Sequence, residues 1–222
     1  MTAATPRIAL IHALAHSIAP VNSELDRAWP GCVRMHLLDD SLSGDLAASN
    51  NGLDDAMTAR FVALADYAVR TGVRGILFTC SAFGLCIDAV ARRWPDIPVL
   101  KPNEAMIADA SAMGRRIGLV ASFAPTLSSM PAEFPPTVTV LPALADGALD
   151  ALTLGDTALH DRLVVQAAHA IAAKGCDVIA LGQFSLARAA PAVEHAVRVP
   201  VLTTAGSAVR LLRERVEKMP TA

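Results

Sequence analysis

One cysteine in the first half of the chain has the context of a reactive thiol. Cys80 directly follows the aliphatic run Ile-Leu-Phe-Thr, which is typical of a buried strand, and the small residues Ser81 and Ala82 come next. A helix predicted through Cys86 would begin close to the thiol, and the positive end of its dipole would lower the thiol pKa. The same backbone N–H groups could hold a carboxylate or an enolate oxygen. The alternative is a buried structural cysteine.

The other three cysteines have positions typical of structural residues. Cys176 begins its predicted strand, so it lies far from the carboxyl end of that strand, and Cys32 begins another strand after a Pro-Gly pair. Cys86 follows Cys80 on the next helix and is expected to face the sheet. No Cys-x-x-Cys pair occurs and no histidine lies at zinc-finger spacing, so no metal site is predicted.

Three segments of the first half recur in the same order in the second half. Residues 7–12 match 116–121 at an offset of 109, residues 72–80 match 175–183 at an offset of 103, and residues 98–100 match 200–202 at an offset of 102. Each segment is a short aliphatic run that ends in small or polar residues, which is typical of a parallel strand buried on both faces. The recurrence predicts an internal duplication.

Helical patterns lie between the matched segments. Acidic or hydroxyl residues open an apolar stripe in each half, at Asp54 and Asp55 and again at Asp156 and Thr157. The stripes are Met57, Phe61, Leu64 and Ala68 in the first half and Leu159, Leu163, Gln166, Ala167 and Ala170 in the second. The repeated order of strand, helix and strand predicts parallel βαβ units with helices on both faces of each sheet.

We therefore predict an α/β fold of two pseudo-symmetric halves with parallel sheets flanked by helices. The first half comprises residues 1–103 and 207–222, because the last helix is expected to return to it, and the second comprises residues 104–206. Ligands of such sheets bind outside the carboxyl ends of the strands, so the active site is expected between the halves. The loops expected to form it follow Ile11, Thr79, Val120 and Gly182.

Several polar residues fall at these strand ends. His12 ends the first strand, where it could pair with the thiolate or the substrate, or serve as a hydrogen-bonded structural histidine. Ser81 and Ser185 occupy equivalent places in the two halves, and each could bind a carboxylate or cap a helix. Lys101 follows the strand at 98–100 and could add positive potential, or lie solvated on the surface.

The composition excludes several classes of protein. Apolar residues make up 53% of the 222 residues and charged residues 18%, the balance of a packed chain rather than a disordered one. A net charge of −2 without a basic cluster argues against nucleic-acid and membrane partners. No transmembrane run occurs, and scattered cysteines predict a reduced, cytoplasmic protein. Walker, GxGxxG, HExxH and GxSxG motifs are absent from the sequence, so no cofactor is predicted.

The chain resembles the aspartate/glutamate/hydantoin racemase superfamily, which also includes maleate isomerase and arylmalonate decarboxylase. The resemblance implies two Rossmann-like halves, cofactor-independent chemistry next to a carboxylate or carbonyl, and one cysteine from each half. It also implies that Ser122 and Thr126 lie near the substrate. The segments that carry it are residues 7–20, 78–82, 98–106, 116–122 with 126–127, and 175–182.

The chain departs from the racemase pattern at the second cysteine, which falls on Gln183, followed by Phe184 and Ser185. An amide cannot remove a proton from carbon at neutral pH, although its NH₂ and C=O can orient a carboxylate. Symmetric two-thiol racemisation is therefore not expected. One thiol could instead protonate an enediolate after decarboxylation, shuttle one proton in an isomerisation, or add to a double bond during cis–trans isomerisation.

The sequence thus predicts a cofactor-independent racemase or isomerase that acts through a single thiol, Cys80, on a small carboxylic acid or amino-acid derivative. The alternatives are a malonate-type decarboxylase, which is a lyase, and a non-catalytic small-acid binding protein on the same scaffold. The sequence leaves the oligomeric state open, a homo-oligomer included. The predicted substrate contacts are His12, Ser81, Ala82, Ser122, Thr126, Gln183, Phe184 and Ser185.

Overall fold

A computed structural model describes residues 5–49 and 52–220, which form two compact units. The first unit lies within Met1–Pro102 and Ala208–Ala222, and its four parallel strands are ordered β2-β1-β3-β4. The strands are β1 (Arg7–His12), β2 (Val33–Leu38), β3 (Gly75–Phe78) and β4 (Val99–Leu100). The helices are α1 (Ile18–Ala28), α2 (Ser41–Ala48), α3 (Asp55–Arg70) and α4 (Gly84–Arg93), with 3-10 helices at Ala15–Ser17 and Ser81–Phe83.

The second unit, Asn103–Ser207, has a four-stranded parallel sheet ordered β6-β5-β7-β8. The strands are β5 (Arg116–Ala121), β6 (Thr139–Leu144), β7 (Val178–Leu181) and β8 (Val201–Thr203). The helices are α5 (Glu104–Met113), α6 (Ala124–Ser129), α7 (Ala148–Thr153), α8 (Thr157–Ala172) and α9 (Ala190–Ala196), with 3-10 helices at Met130–Glu133 and Phe184–Ala189. The last helix, α10, spans Thr204–Glu217.

The two units share one strand order and one parallel register, which confirms the predicted α/β class with two related halves. The matched segments of the sequence form β1 and β5, β3 and β7, and β4 and β8. The aliphatic runs of β3 and β7 are buried along their whole length, and those of β1 and β5 after the first residue, because helices cover both sides of a parallel sheet. None of the helices within residues 5–49 and 52–220 has the length and hydropathy needed to span a bilayer.

The long helix of each unit begins at the aspartate that the sequence indicates. The Asp54 carboxylate accepts from the Met57 N–H in α3, and the Asp156 carboxylate accepts from the Leu159 N–H in α8. The predicted stripe of α8 is wrong by one residue, because its buried side chains are His160, Val164, Ala168 and Ile171. Apolar residues flank both sides of this helix face, so their spacing alone does not identify which row is buried.

Three phenylalanines fix the strand end that carries Cys80. Phe78, in β3, and Phe83, after Cys80, both pack on Phe61 of α3, with ring centroids 5.4 and 4.8 Å away. All three rings are buried. The turn between Phe78 and Phe83 is therefore anchored in the core on both sides of the thiol.

Candidate active site

Cys80 lies between β3 and the 3-10 helix Ser81–Phe83, where its side chain is partly buried. The Ala82 backbone N–H and the Ser43 hydroxyl are the polar groups that lower the pKa of its thiol. Ser43 lies in α2, and its hydroxyl also reaches the Ala13 carbonyl at 3.4 Å. Ser43 was not among the residues predicted from the sequence, although a serine shortly after β2 falls at the same carboxyl edge of the sheet as Cys80.

Burial raises the pKa of the Cys80 thiol, and the hydrogen bonds from Ala82 and Ser43 offset this only in part. The lowered pKa expected from the sequence is therefore wrong. A three-residue 3-10 helix, rather than α4 itself, follows the thiol, so few aligned N–H groups face the sulfur. The thiol is accordingly protonated at neutral pH and starts as an acid rather than as a base.

We expect iodoacetamide to alkylate Cys80 slowly at neutral pH, with a rate that rises steeply above about pH 9, because only the thiolate reacts. The measurement is the rate against pH, followed by mass spectrometry of the peptide that carries Cys80. Cys80→Ala gives the background from the three buried cysteines. A rate that already reaches its plateau below pH 8 would contradict the raised pKa.

The first unit does not present all of its predicted substrate contacts. Ser81 and Ala82 are exposed, and Ser81 is the first residue of the 3-10 helix, whose N-cap position is occupied by Cys80. His12 is fully buried, and both of its ring nitrogens lie within hydrogen-bond distance of protein groups. The structure thus favours the structural alternative for His12 and does not support a direct substrate contact.

In the second unit, a hydrogen bond fixes the orientation of the Gln183 amide. Gln183 follows β7, and its Oε1 accepts from the Ser122 backbone N–H at 2.6 Å and from the Ser122 hydroxyl at 3.1 Å. A backbone N–H can only donate, so the amide oxygen must face Ser122. Its NH₂ group has no hydrogen-bond partner among the described residues, and it remains available as a donor.

The neighbouring predicted contacts are mostly buried. Ser122 and Thr126 are 8% and 9% exposed, and Phe184 is 4% exposed, so a substrate could meet little of these side chains. The Phe184 ring belongs to the packed interior, so the predicted substrate contact of this residue would have to come from its backbone, and it stays a prediction. Ser185 is partly exposed beside Gln183.

The cations at these strand ends are neutralised by carboxylates. Lys101 pairs with Asp88 at 2.7 Å, and Arg188 pairs with Asp161 at 2.8 Å. The positive potential expected from Lys101 is therefore largely compensated. In the parts of the chain that the structure describes, no group of three or more His, Cys, Asp or Glu side chains could hold a metal ion. The donors that could bind an anion here are neutral: backbone N–H, hydroxyl and amide groups.

Comparisons with known proteins agree with this architecture. The sequence pattern described as Asp/Glu/Hydantoin racemase matches residues 20–212. A search of curated proteins found no match. Among solved structures, an aspartate racemase homologue from Pyrococcus horikoshii OT3 is 14% identical, with 96% of this chain and 100% of that chain covered and a TM-score of 0.73.

Two further structures have the same fold. Allantoin racemase from Klebsiella pneumoniae is 19% identical, with 98% of this chain and 91% of that chain covered and a TM-score of 0.69. Unliganded arylmalonate decarboxylase is 18% identical, with 97% and 94% covered and a TM-score of 0.67. Because the family pattern spans most of the sequence, the chain belongs to the Asp/Glu/hydantoin racemase family.

Proposed function

We propose that the protein is a cofactor-independent enzyme of the isomerase type that moves a proton at the carbon next to the carboxylate of a small acid. Cys80 is the group that transfers the proton. The observation that carries this proposal is the position of the partly buried Cys80 thiol directly after β3, at the carboxyl edge of the sheet. Racemases of this family act on small acids, and a thiol at this edge of the sheet is suited to the same chemistry.

In this proposal Gln183 stands where two-thiol members of the family carry their second cysteine. Its amide NH₂ donates to the substrate carboxylate or carbonyl, and Ser122 holds the amide in the orientation that makes this possible. Hydrogen bonds to the substrate oxygen stabilise the negative charge that develops when the carbon loses a substituent. Because an amide exchanges no proton with carbon, one thiol both removes and returns the proton, and the minor thiolate fraction of Cys80 is the base that starts the isomerisation.

Decarboxylation of a malonate-type acid is the second candidate, and the raised pKa of Cys80 favours it. The bond between Cα and one carboxylate breaks, CO₂ leaves, and the electron pair stays as an enediolate. The enediolate then takes the proton of the Cys80 thiol, and the resulting thiolate regains a proton from water. This sequence needs a protonated thiol at the start, whereas abstraction of a Cα proton needs the thiolate.

The test is a screen of amino acids, hydantoins, hydroxy acids and substituted malonates in D₂O, followed by NMR and by CO₂ detection, and run in parallel with and without a chelator. Deuterium at Cα without loss of carbon would support the isomerase. Release of CO₂ with one deuterium in the product would support the decarboxylase. Tight binding of an acid with neither reaction would refute both and leave the binding protein. Activity that disappears with the chelator and returns with a divalent ion would contradict cofactor independence.

A further inference from the structure

Two histidines form a hydrogen-bonded pair beneath the strand ends of the first unit. The Nε2 atom of His12 lies 2.9 Å from Nδ1 of His36, and the two rings stack with centroids 5.2 Å apart. His12 is the last residue of β1, and His36 lies on the neighbouring strand β2. His12 is fully buried, so every proton on this pair must have a defined partner.

The positions of these protons follow from Arg34, which can only donate. Arg34 Nη1 lies 3.3 Å from Asn22 Oδ1, so that atom is an acceptor. His36 Nε2 lies 3.2 Å from the same oxygen and therefore carries a proton. The neutral His36 ring then accepts at Nδ1, and His12 donates to it from Nε2. Consequently, His12 Nδ1 is left as an acceptor.

A hydroxyl group from the strand end next to Cys80 fills this last acceptor. Thr79 Oγ1 lies 2.9 Å from His12 Nδ1, and Ser17 Oγ lies 3.0 Å from it. The Ser17 hydroxyl donates to the Leu14 carbonyl at 2.8 Å. The Thr79 hydroxyl lies 2.8 Å from Ser17 Oγ and 2.9 Å from His12 Nδ1, and because the buried Nδ1 atom needs a donor, we assign the Thr79 proton to His12. Thr79 is therefore the residue through which the pair contacts β3, one position before Cys80.

The electrostatic surroundings keep the pair neutral. Burial, and to a smaller extent His36, lowers the pKa of His12 to about 4. Burial and then Arg34 lower the pKa of His36. The charge next to the pair is that of Arg34, which pairs with Asp26 at 2.6 Å. Both rings thus keep one proton each near neutral pH, and the order of donors and acceptors is fixed.

We propose that the His12–His36 pair is a positioning device for the reactive thiol: the chain of hydrogen bonds from Asn22 through His36 and His12 to the Thr79 hydroxyl holds the turn that carries Cys80. The pair does not touch the substrate. Its hydrogen bonds connect β2, β1 and the end of β3, and the burial of the Cys80 thiol depends on this connection. This role rests on the proposed function in one respect: Cys80 is taken to be the reactive group.

The test deletes the hydroxyl that links the pair to the strand end. In Thr79→Val the side chain keeps its shape but no longer donates to His12, so the turn should loosen and Cys80 should become more exposed. We expect the midpoint of the alkylation pH profile of Cys80 to fall by about one unit, which is roughly a tenfold faster reaction at neutral pH. Turnover, where a substrate is known, should fall. Thr79→Ser keeps the hydroxyl and should restore the wild-type profile.

A second pair of variants acts at the other end of the network. His36→Leu leaves the His12 Nε2–H without an acceptor, whereas His36→Asn offers Oδ1 near the place of Nδ1. His36→Leu should shift the alkylation profile of Cys80 in the same direction as Thr79→Val. His36→Asn should leave the profile as it is in the wild type. In the wild type, ¹⁵N NMR should report the Nε2–H tautomer for both rings.

A purely structural role would lower stability in these variants without moving the alkylation profile of the folded protein. An unchanged profile in folded Thr79→Val, or an Nδ1–H tautomer for His12, would overturn the proposal. Both readouts need no substrate. They can therefore fail while Cys80 proves catalytic, or succeed while the proposed reaction proves wrong.

Discussion

Replacing Cys80 by serine should reduce turnover by about three orders of magnitude, the scale on which a general acid contributes to rate, while the protein stays folded. A hydroxyl is a far weaker acid than a thiol, so it cannot protonate an enediolate at a useful rate, and its alkoxide is not populated as a base. The fold should tolerate the change. The position is only partly buried, and the serine side chain has the shape of the cysteine side chain with a smaller oxygen in place of the sulfur.

Cys86→Ser is the matched control for this experiment. Cys86 is fully buried in the core and lies 3.5 Å from the Thr58 hydroxyl. A hydroxyl there should destabilise the fold by about 1–3 kcal/mol, while each folded molecule retains its turnover. The measurements are the rate constant per folded molecule and the free energy of unfolding in denaturant. Turnover of Cys80→Ser close to that of the wild type would refute the assignment of Cys80.

The strands and their duplication could be predicted because burial on both faces of a parallel sheet leaves a direct mark on the sequence. The aliphatic runs that became β1, β3, β5 and β7 admit few other interpretations once they recur in order. Helix α8 shows the limit of such patterns. Its apolar residues occupy adjacent rows, and the row that is buried includes a polar side chain, that of His160.

The place of Cys80 could be predicted, but the sign of its pKa shift could not. The sign depends on how deeply the sulfur is buried and on the short 3-10 helix that follows it, and neither property is encoded in the local sequence. The same holds for His12. Its partners are His36, from the neighbouring strand, and Thr79, from 67 positions along the chain, and these come together only in the folded sheet.

Glutamate is the informative replacement for Gln183, because it keeps the length of the side chain and one of its oxygens. In Gln183→Glu the new carboxylate would accept from the Ser122 N–H and hydroxyl as the amide oxygen does, so the side chain should keep its anchor and the fold its stability. The two N–H donors of the amide disappear, and a negative charge takes their place. If the amide binds the substrate carboxylate, we expect KM to rise by about two orders of magnitude, because each hydrogen bond to a charged group contributes about 1.5–3 kcal/mol.

The pH dependence separates this effect from a simple loss of packing. Hydrogen bonds from Ser122 stabilise the charged form of the introduced carboxyl group, so its pKa should lie low and the repulsion should persist at neutral pH. As the pH falls through that pKa, the side chain becomes a neutral acid that can donate again, and KM should return toward the wild-type value.

Ser122→Ala is the control, since it removes the weaker bond at 3.1 Å and leaves the backbone N–H in place. It should weaken binding much less than Gln183→Glu, and without the recovery at low pH. Wild-type KM in Gln183→Glu would mean that the amide does not meet the substrate carboxylate, and the roles proposed for Gln183 and Ser122 would both have to be abandoned.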